Sequence, residues 1–422
     1  MPQPNAAPAA PAAPVMLVAR QPILDREQKL LGYELLFRAQ AEDREARITN
    51  RDAATARVLL HAFVDFGIKR LVGESLAFVN LTRNLLLNHQ HLPSSGKQVG
   101  LEILEGQKFD AELVEAVRTL AGRGYTIVLD DFAFGDGGPA LEALLGLAHM
   151  VKLDVLAHDA ESLAATVQRL RRHPLKLVAE KVQTREQYER CLALGFDYFQ
   201  GYYLLRPENV AEATLGESRI NVMRLLAAIE NPATGPDELD AVIRNDAVLS
   251  YKLLRLVNSA YFALPIKVKS ILHAIVYLGL GRVRGWVRML ALAGLEDRPA
   301  ELLKTALVRA RMCEQLAARM SRERQEMAFT VGLFSLLDAL MNAPMETLFD
   351  KLPLPEEVRA AVQRGEGPLA PLLDEALACE RAEWDRLAEG GAHAERLAHA
   401  YLSAVEWAEQ VYGFAGAQAA AA

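Results

Sequence analysis

Through its first half the chain sets short apolar runs at 15–19, 31–37, 77–81, 99–104, 125–129, 150–153, 175–179 and 197–203, the lengths expected of buried strands. Between most of them apolar residues recur with a helical period, at 53–66, 111–121, 162–172 and 185–194. Gly122, Gly124 and Gly195 stand where such helices should stop. Strands alternating with helices predict βαβ units and a largely parallel sheet. About eight units predict a closed (β/α)8 TIM-like barrel, though a short one. After Arg206-Pro207 the texture changes to helical periodicity with almost no strand signal. Helices are expected at 217–228, 237–244, 247–258, 271–278, 282–293, 301–321, 325–341, 356–364, 368–387 and 393–411, which predicts an all-α second domain. The division is then a disordered Ala/Pro-rich leader at 1–14, a barrel domain at 15–207, a helical domain at 208–412 and a flexible tail at 413–422.

The apolar runs of the first half carry polar residues at or near their ends: Glu34, Asn80, Glu102, Asp130-Asp131, Lys152, Glu180 and Gln200. A carboxylate or amide there costs free energy unless something pairs with it. A lone Glu or Lys near a strand end is ordinarily a solvated rim residue. A series at near-regular spacing predicts one rim where several strands deliver oxygen ligands to a common point. Such a set suits a two-metal phosphodiester hydrolase, because Mg²⁺ and Mn²⁺ prefer oxygen ligands. Adjacent aspartates can bridge or split between two ions about 4 Å apart. Lys152, the one cation of the set, would orient an attacking water or offset phosphate charge, and Gln200 would position that water or hydrogen-bond the substrate.

Composition narrows the partners. A net charge of −7 over 422 residues argues against a general nucleic-acid binder and leaves room for a nucleotide ligand. Three cysteines, Cys191, Cys313 and Cys379, fit no zinc spacing and point to a reducing, cytoplasmic setting. No apolar stretch is long enough to span a bilayer, and the leader lacks the basic and apolar regions of a signal peptide, so no membrane partner is expected.

The motifs of residues 16–207 resemble the EAL domain, a cyclic di-GMP phosphodiesterase module. Glu34-Leu35-Leu36-Phe37-Arg38 matches the motif that names it, with Leu35 in place of Ala. Asn80-Leu81-Thr82, Glu102-Ile103-Leu104-Glu105, Asp130-Asp131-Phe132, Lys152-Leu153-Asp154 and Gln200-Gly201-Tyr202 match the rest. The resemblance implies a barrel in which Glu34, Asn80, Glu102, Asp130, Asp131 and Glu180 hold Mg²⁺ or Mn²⁺. Lys152 would activate water with Gln200, and Arg38 would meet a ligand phosphate. The family's Phe-Gly-Thr-Gly-Tyr-Ser-Ser-Leu is rewritten here as Phe132-Ala133-Phe134-Gly135-Asp136-Gly137-Gly138-Pro139. Its Glu-Gly-Val-Glu becomes Glu180-Lys181-Val182-Gln183. In active members that loop is linked to metal occupancy and dimer contacts.

The second half resembles the HDOD domain, on Asp246-Ala247-Val248-Leu249-Ser250, Lys252-Leu253-Leu254-Arg255-Leu256, Val257-Asn258-Ser259-Ala260 and Leu278-Gly279-Leu280. Where a hydrolase related to that domain would carry a His-Asp pair, this chain reads Ser335-Leu336-Leu337-Asp338, so the helical half is expected to be non-catalytic. His158-Asp159 lies in the other domain and reads as a surface or helix-start feature, while Asn258, Trp286, Trp384 and Trp407 read as structural. The whole is read as a bacterial cyclic di-GMP signalling protein, a phosphodiesterase yielding linear pGpG, with the helical half as an output module for a protein partner. Barrels of this type often form homodimers. The alternative is a catalytically degenerate cyclic di-GMP receptor or an interaction scaffold.

Overall fold

The structure, a computed structural model, describes residues 16–39, 68–92, 96–104, 106–131, 138–201, 203, 217–258, 268–293, 295, 299–387 and 391–416. The helix expected at 53–66, the leader, most of the rewritten loop after Asp131 and the last residues of the tail lie outside them.

Eight strands close into a barrel in the order β1 to β8: β1 Met16–Asp25, β2 Leu30–Ala39, β3 Leu76–Leu81, β4 Val99–Ile103, β5 Thr126–Leu129, β6 Met150–Asp154, β7 Lys176–Glu180 and β8 Tyr198–Phe199. From β2 to β8 every neighbour is parallel. Here the expectation of strand–helix alternation needs one correction. β1 runs antiparallel to both β2 and β8. The link between Asp25 and Leu30 is a tight turn, in which Asp25 N–H donates to the Lys29 carbonyl and its carboxylate accepts from Lys29 N–H. So short a connection makes a hairpin and leaves no room for a crossover helix.

Three of the helices between strands form where the apolar period predicts them. Ala111–Gly122 is capped by Asp110, and Ala160–Leu170 by the Asp159 carboxylate, which accepts from Ser162 N–H. His158-Asp159 is thus a helix start. Arg185–Leu194 opens on a Thr184/Gln187 capping box and stops at Gly195, whose φ of 92° a glycine tolerates best. The sequence reading passed over Gly138–Leu147, because it starts inside the rewritten loop.

The second half is helical throughout its described residues, from Glu217–Glu230 to Gly391–Gly416. Two long periodic stretches are broken in the structure. The one at 325–341 divides into Arg322–Phe334 and Leu337–Met341, and the one at 368–387 into Ala370–Glu380 and Trp384–Leu387. Met345–Asp350, too short to show a period, was not foreseen. Trp286, Trp384 and Trp407 are buried in one apolar core. Asn258 is structural: its amide donates to the Leu254 and Val268 carbonyls and its oxygen accepts from Val268 N–H.

The two halves meet on the β1–β2 hairpin. Pairing of β2 with β3 ends at Leu35↔Val79, yet β1 and β2 stay paired up to Met16↔Ala39. The hairpin therefore projects past the rim of the barrel. Ala19 joins the helical domain's core and Leu36 packs against it. Among the described residues no helix is long and apolar enough to cross a membrane.

Candidate functional site

The strand pattern delivers its polar residues to one end of the barrel. Glu34 on β2, Glu102 on β4, Lys152 on β6 and Glu180 on β7 are buried, as are Asp130 just after β5 and Gln200 just after β8. Strand register sets their level: Asn80 lies beside Glu102, and Asp154 beside Glu180. Small residues admit the neighbours. Gly201, at φ 152°, has no room for a Cβ against the Val182 backbone, so the chain after β8 can pack close enough to hold Gln200.

Lys152 is the centre of this cluster. Its ammonium lies 2.9 Å from Glu34 Oε2, 3.0 Å from Glu102 Oε1, 3.3 Å from Asp130 Oδ1 and 2.5 Å from Glu180 Oε1. Glu34 is further held by the Asn80 amide, which donates to Oε1 at 3.0 Å, and the Gln200 amide, which donates to Oε2 at 2.7 Å. Five other residues singled out from sequence therefore converge on Glu34 and Lys152.

One neighbour of the cluster was missed. Gln21, opposite Glu34 in the β1–β2 register, accepts from the same Gln200 amide at 3.0 Å. The apolar run at 15–19 had been closed too early, and the polar Gln21 in the continuing strand was the overlooked signal.

Asp131 stands apart. It takes a left-handed backbone at φ 44°, and its half-exposed carboxylate lies 3.9 Å from the Lys181 ammonium. Lys181, itself at φ 56°, pairs more closely with Asp154 at 2.6 Å. Gln183 uses its N–H to bond the Gln187 side chain at the helix start. Arg38 lies on β2 opposite Leu17, beyond the last β2–β3 pair, and its side chain is outside the described residues.

Electrostatics divide the carboxylates. Burial alone would raise Glu34, but the Lys152 charge and the hydrogen bonds from Lys152, Gln200 and Asn80 outweigh it and hold Glu34 below the ordinary value. Burial, and then the charge of Glu34, drives Glu102 well above its ordinary range. Asp130 is raised, and Glu180 is pushed up to about 7, both chiefly by burial. Lys152 is raised despite burial, because four carboxylates face it.

These residues suit a hard cation in donor type and charge. Buried Asn80 Oδ1 and Glu102 Oε2 accept no hydrogen bond, the state of atoms that a cation would satisfy. Four carboxylates face one ammonium, and burial raises the proton affinity of Glu102, Asp130 and Glu180, so a divalent ion there would compete with protons. As they stand, no three His, Cys, Asp or Glu among the described residues already form a cage for an ion. The Lys152 ammonium lies where these carboxylates converge.

The chain matches the EAL domain family over residues 7–207 and the HDOD domain family over residues 219–364. It is 32% identical over 402 residues to the cyclic di-GMP phosphodiesterase CdgJ of Vibrio cholerae, covering 93% of this chain and 92% of that one. To YuxH of Bacillus subtilis, an uncharacterized protein, it is 30% identical, covering 93% of this chain and 98% of that one. Among solved structures, BlrP1 of Klebsiella pneumoniae in a calcium/cyclic di-GMP complex aligns at TM-score 0.39 and 22% identity, over 47% of this chain and 57% of that one.

Proposed function

This chain belongs to the EAL domain family with an HDOD domain joined behind the barrel, and on that premise we propose that it is a cyclic di-GMP phosphodiesterase dependent on Mg²⁺ or Mn²⁺. Water adds across one phosphodiester P–O bond and opens the ring to linear pGpG. The observation that carries this reading is the cluster of four buried carboxylates around Lys152, joined to Gln200 and Asn80 through Glu34.

Glu34, Asn80, Glu102, Asp130 and Glu180 would hold the metal, with Asp131 at the exposed edge. A bound divalent ion supplies a Lewis acid for the phosphoryl oxygen and lowers the pKa of its water. The protein's own groups do the rest. Glu34, held below the ordinary carboxylate range by Lys152, Gln200 and Asn80, would meet the cation with little competition from protons. Lys152 offsets negative charge that builds on the phosphoryl group and keeps the carboxylates together before metal arrives. Gln200, tied to both Glu34 and Gln21, orients its free carbonyl oxygen toward water or substrate. Arg38, at the projecting end of β2, would meet a ligand phosphate. The helical half is proposed as non-catalytic, an output surface for a protein partner, and the protein as cytoplasmic.

A second reading has its own observation. The Lys181 ammonium stands 3.9 Å from Asp131, where it weakens any cation there. That favours a receptor which binds cyclic di-GMP and cuts it slowly or not at all. Calorimetric titration of the full chain with cyclic di-GMP and Mn²⁺, followed by chromatography of the nucleotide, separates the two. The phosphodiesterase yields pGpG, and the receptor binds saturably without product.

A further inference from the structure

Alternate residues of the β1–β2 hairpin serve two domains. On β2, Tyr33 donates its hydroxyl to Glu301 of the helical domain at 2.5 Å, and the next residue, Glu34, enters the Lys152 cluster. On β1, Arg20 pairs with Glu409 of the helical domain at 3.0 Å, and the next residue, Gln21, holds Gln200. Consecutive strand residues point to opposite faces, so each peptide has one side chain in the helical half and its neighbour in the site.

The contacts on the helical side form one buried network. The Arg20 guanidinium stacks on the Tyr33 ring at 4.2 Å, and Lys304 lies 3.3 Å from Glu301 and 3.1 Å from Glu409. Such a largely buried ionic network often stabilises no more than apolar packing of the same volume, so stability alone is weak ground for its place at this joint.

Two further observations place the joint at a weak point of the barrel. Among the described residues the β1/β8 seam is closed by two residue pairs, Leu24↔Phe199 and Asp25↔Tyr198. Further along β1 the Arg20 N–H donates instead to the Tyr401 hydroxyl of the last helix, at 3.2 Å. Beside it lies a cavity of about 170 Å³, lined by Arg20, Gln21, Tyr33, Gly201, Glu301 and Tyr401. The wall next to Gln21 and Gln200 is thus completed by the helical domain, with free volume for it to shift.

We propose that Tyr33 is a positioning residue: through its hydrogen bond to Glu301, the helical domain sets where Glu34, and with it Gln200, stands in the site. The joint would carry information both ways, because coupling between sites is reciprocal. The kinetic consequence rests on the phosphodiesterase reading, and the structural consequence does not.

The test uses the full chain with Tyr33→Phe, Glu301→Ala and Glu301→Gln, the last of which still accepts the hydroxyl. In metal- and nucleotide-free protein, Tyr33→Phe and Glu301→Ala are expected to speed hydrogen exchange of the amides at 33–35 about tenfold, with Glu301→Gln close to the parent. With Mn²⁺ and cyclic di-GMP, kcat should fall about tenfold or more in the first two, with KM within about twofold, and Glu301→Gln should recover most of it. Unchanged exchange with kcat held in Tyr33→Phe overturns the proposal, as does a rise in KM alone. If the parent chain neither binds nor cuts cyclic di-GMP, the phosphodiesterase reading fails, and the exchange measurement alone decides this one.

Discussion

Lys152 Nζ lies 2.9 Å from Glu34 Oε2 inside a barrel end from which solvent is almost wholly excluded. The two residues are 118 positions apart in sequence, on β6 and β2. The lysine charge is the largest influence set against burial at Glu34, and the carboxylates together, Glu102 first and Glu34 next, hold the ammonium.

Replacing Lys152 with Met should therefore destabilise the metal-free protein by about 3–5 kcal/mol, because it leaves buried carboxylates without their cation. Mn²⁺ should restore part of the loss. Thermal unfolding with and without Mn²⁺ measures both, and equal melting of the two metal-free proteins would remove Lys152 from the centre of the site.

Stability should also depend on pH in a set direction. Glu180 is raised from 4.5 to about 7, and Glu102 and Asp130 are raised as well. A carboxyl raised in the folded state contributes stability at low pH and loses it as pH climbs from the unfolded value through the folded one. Glu34, lowered, acts oppositely, and only as pH falls below 4.5. Metal-free protein should thus weaken between about pH 4.5 and 7, and Mn²⁺ should bind more tightly at the upper end, where it competes with fewer protons. Denaturant titration across that range, repeated with Mn²⁺, checks both signs.

Lys181→Gly should leave stability level or improve it. The residue sits at φ 56°, a region that costs a side-chain-bearing residue about 1–2 kcal/mol. Its ion pair with Asp154 is half exposed and contributes about 0–1 kcal/mol. Removing the cation beside Asp131 should raise Mn²⁺ affinity by about fivefold. Isothermal titration gives the number, and unchanged affinity would dismiss Lys181 as a modifier of the site.

In the helical half, Asn258→Ala removes three hydrogen bonds, two that tie Asn258 to Val268 and one to the Leu254 carbonyl. A loss of about 1–3 kcal/mol is expected with no change in metal binding by the barrel. Calorimetric unfolding alongside Mn²⁺ titration tests the pair of outcomes.

The site was largely legible in sequence, for a reason visible in Glu102 and Lys152. A charged side chain at the end of an apolar run must find partners, and in a parallel barrel the ends of the runs share one rim. Gln21 escaped because it lies mid-strand, in a β1 longer than its apolar run and antiparallel to its neighbours. Tyr33 escaped for another cause. Its partner Glu301 is 268 residues away in a different domain, and a tyrosine in an apolar strand reads as core. Asp131 was read as equal to Asp130, yet its left-handed backbone turns the two carboxylates to different surroundings.

The central claim is that the barrel end around Lys152 cuts a cyclic dinucleotide. Full-length protein incubated with cyclic di-GMP and Mn²⁺, with products separated by chromatography, tests it most directly against Glu34→Gln. The account predicts conversion to linear pGpG by the parent chain and a drop of about a hundredfold or more in the variant. Saturable binding with no product, or turnover that Glu34→Gln leaves intact, would contradict it.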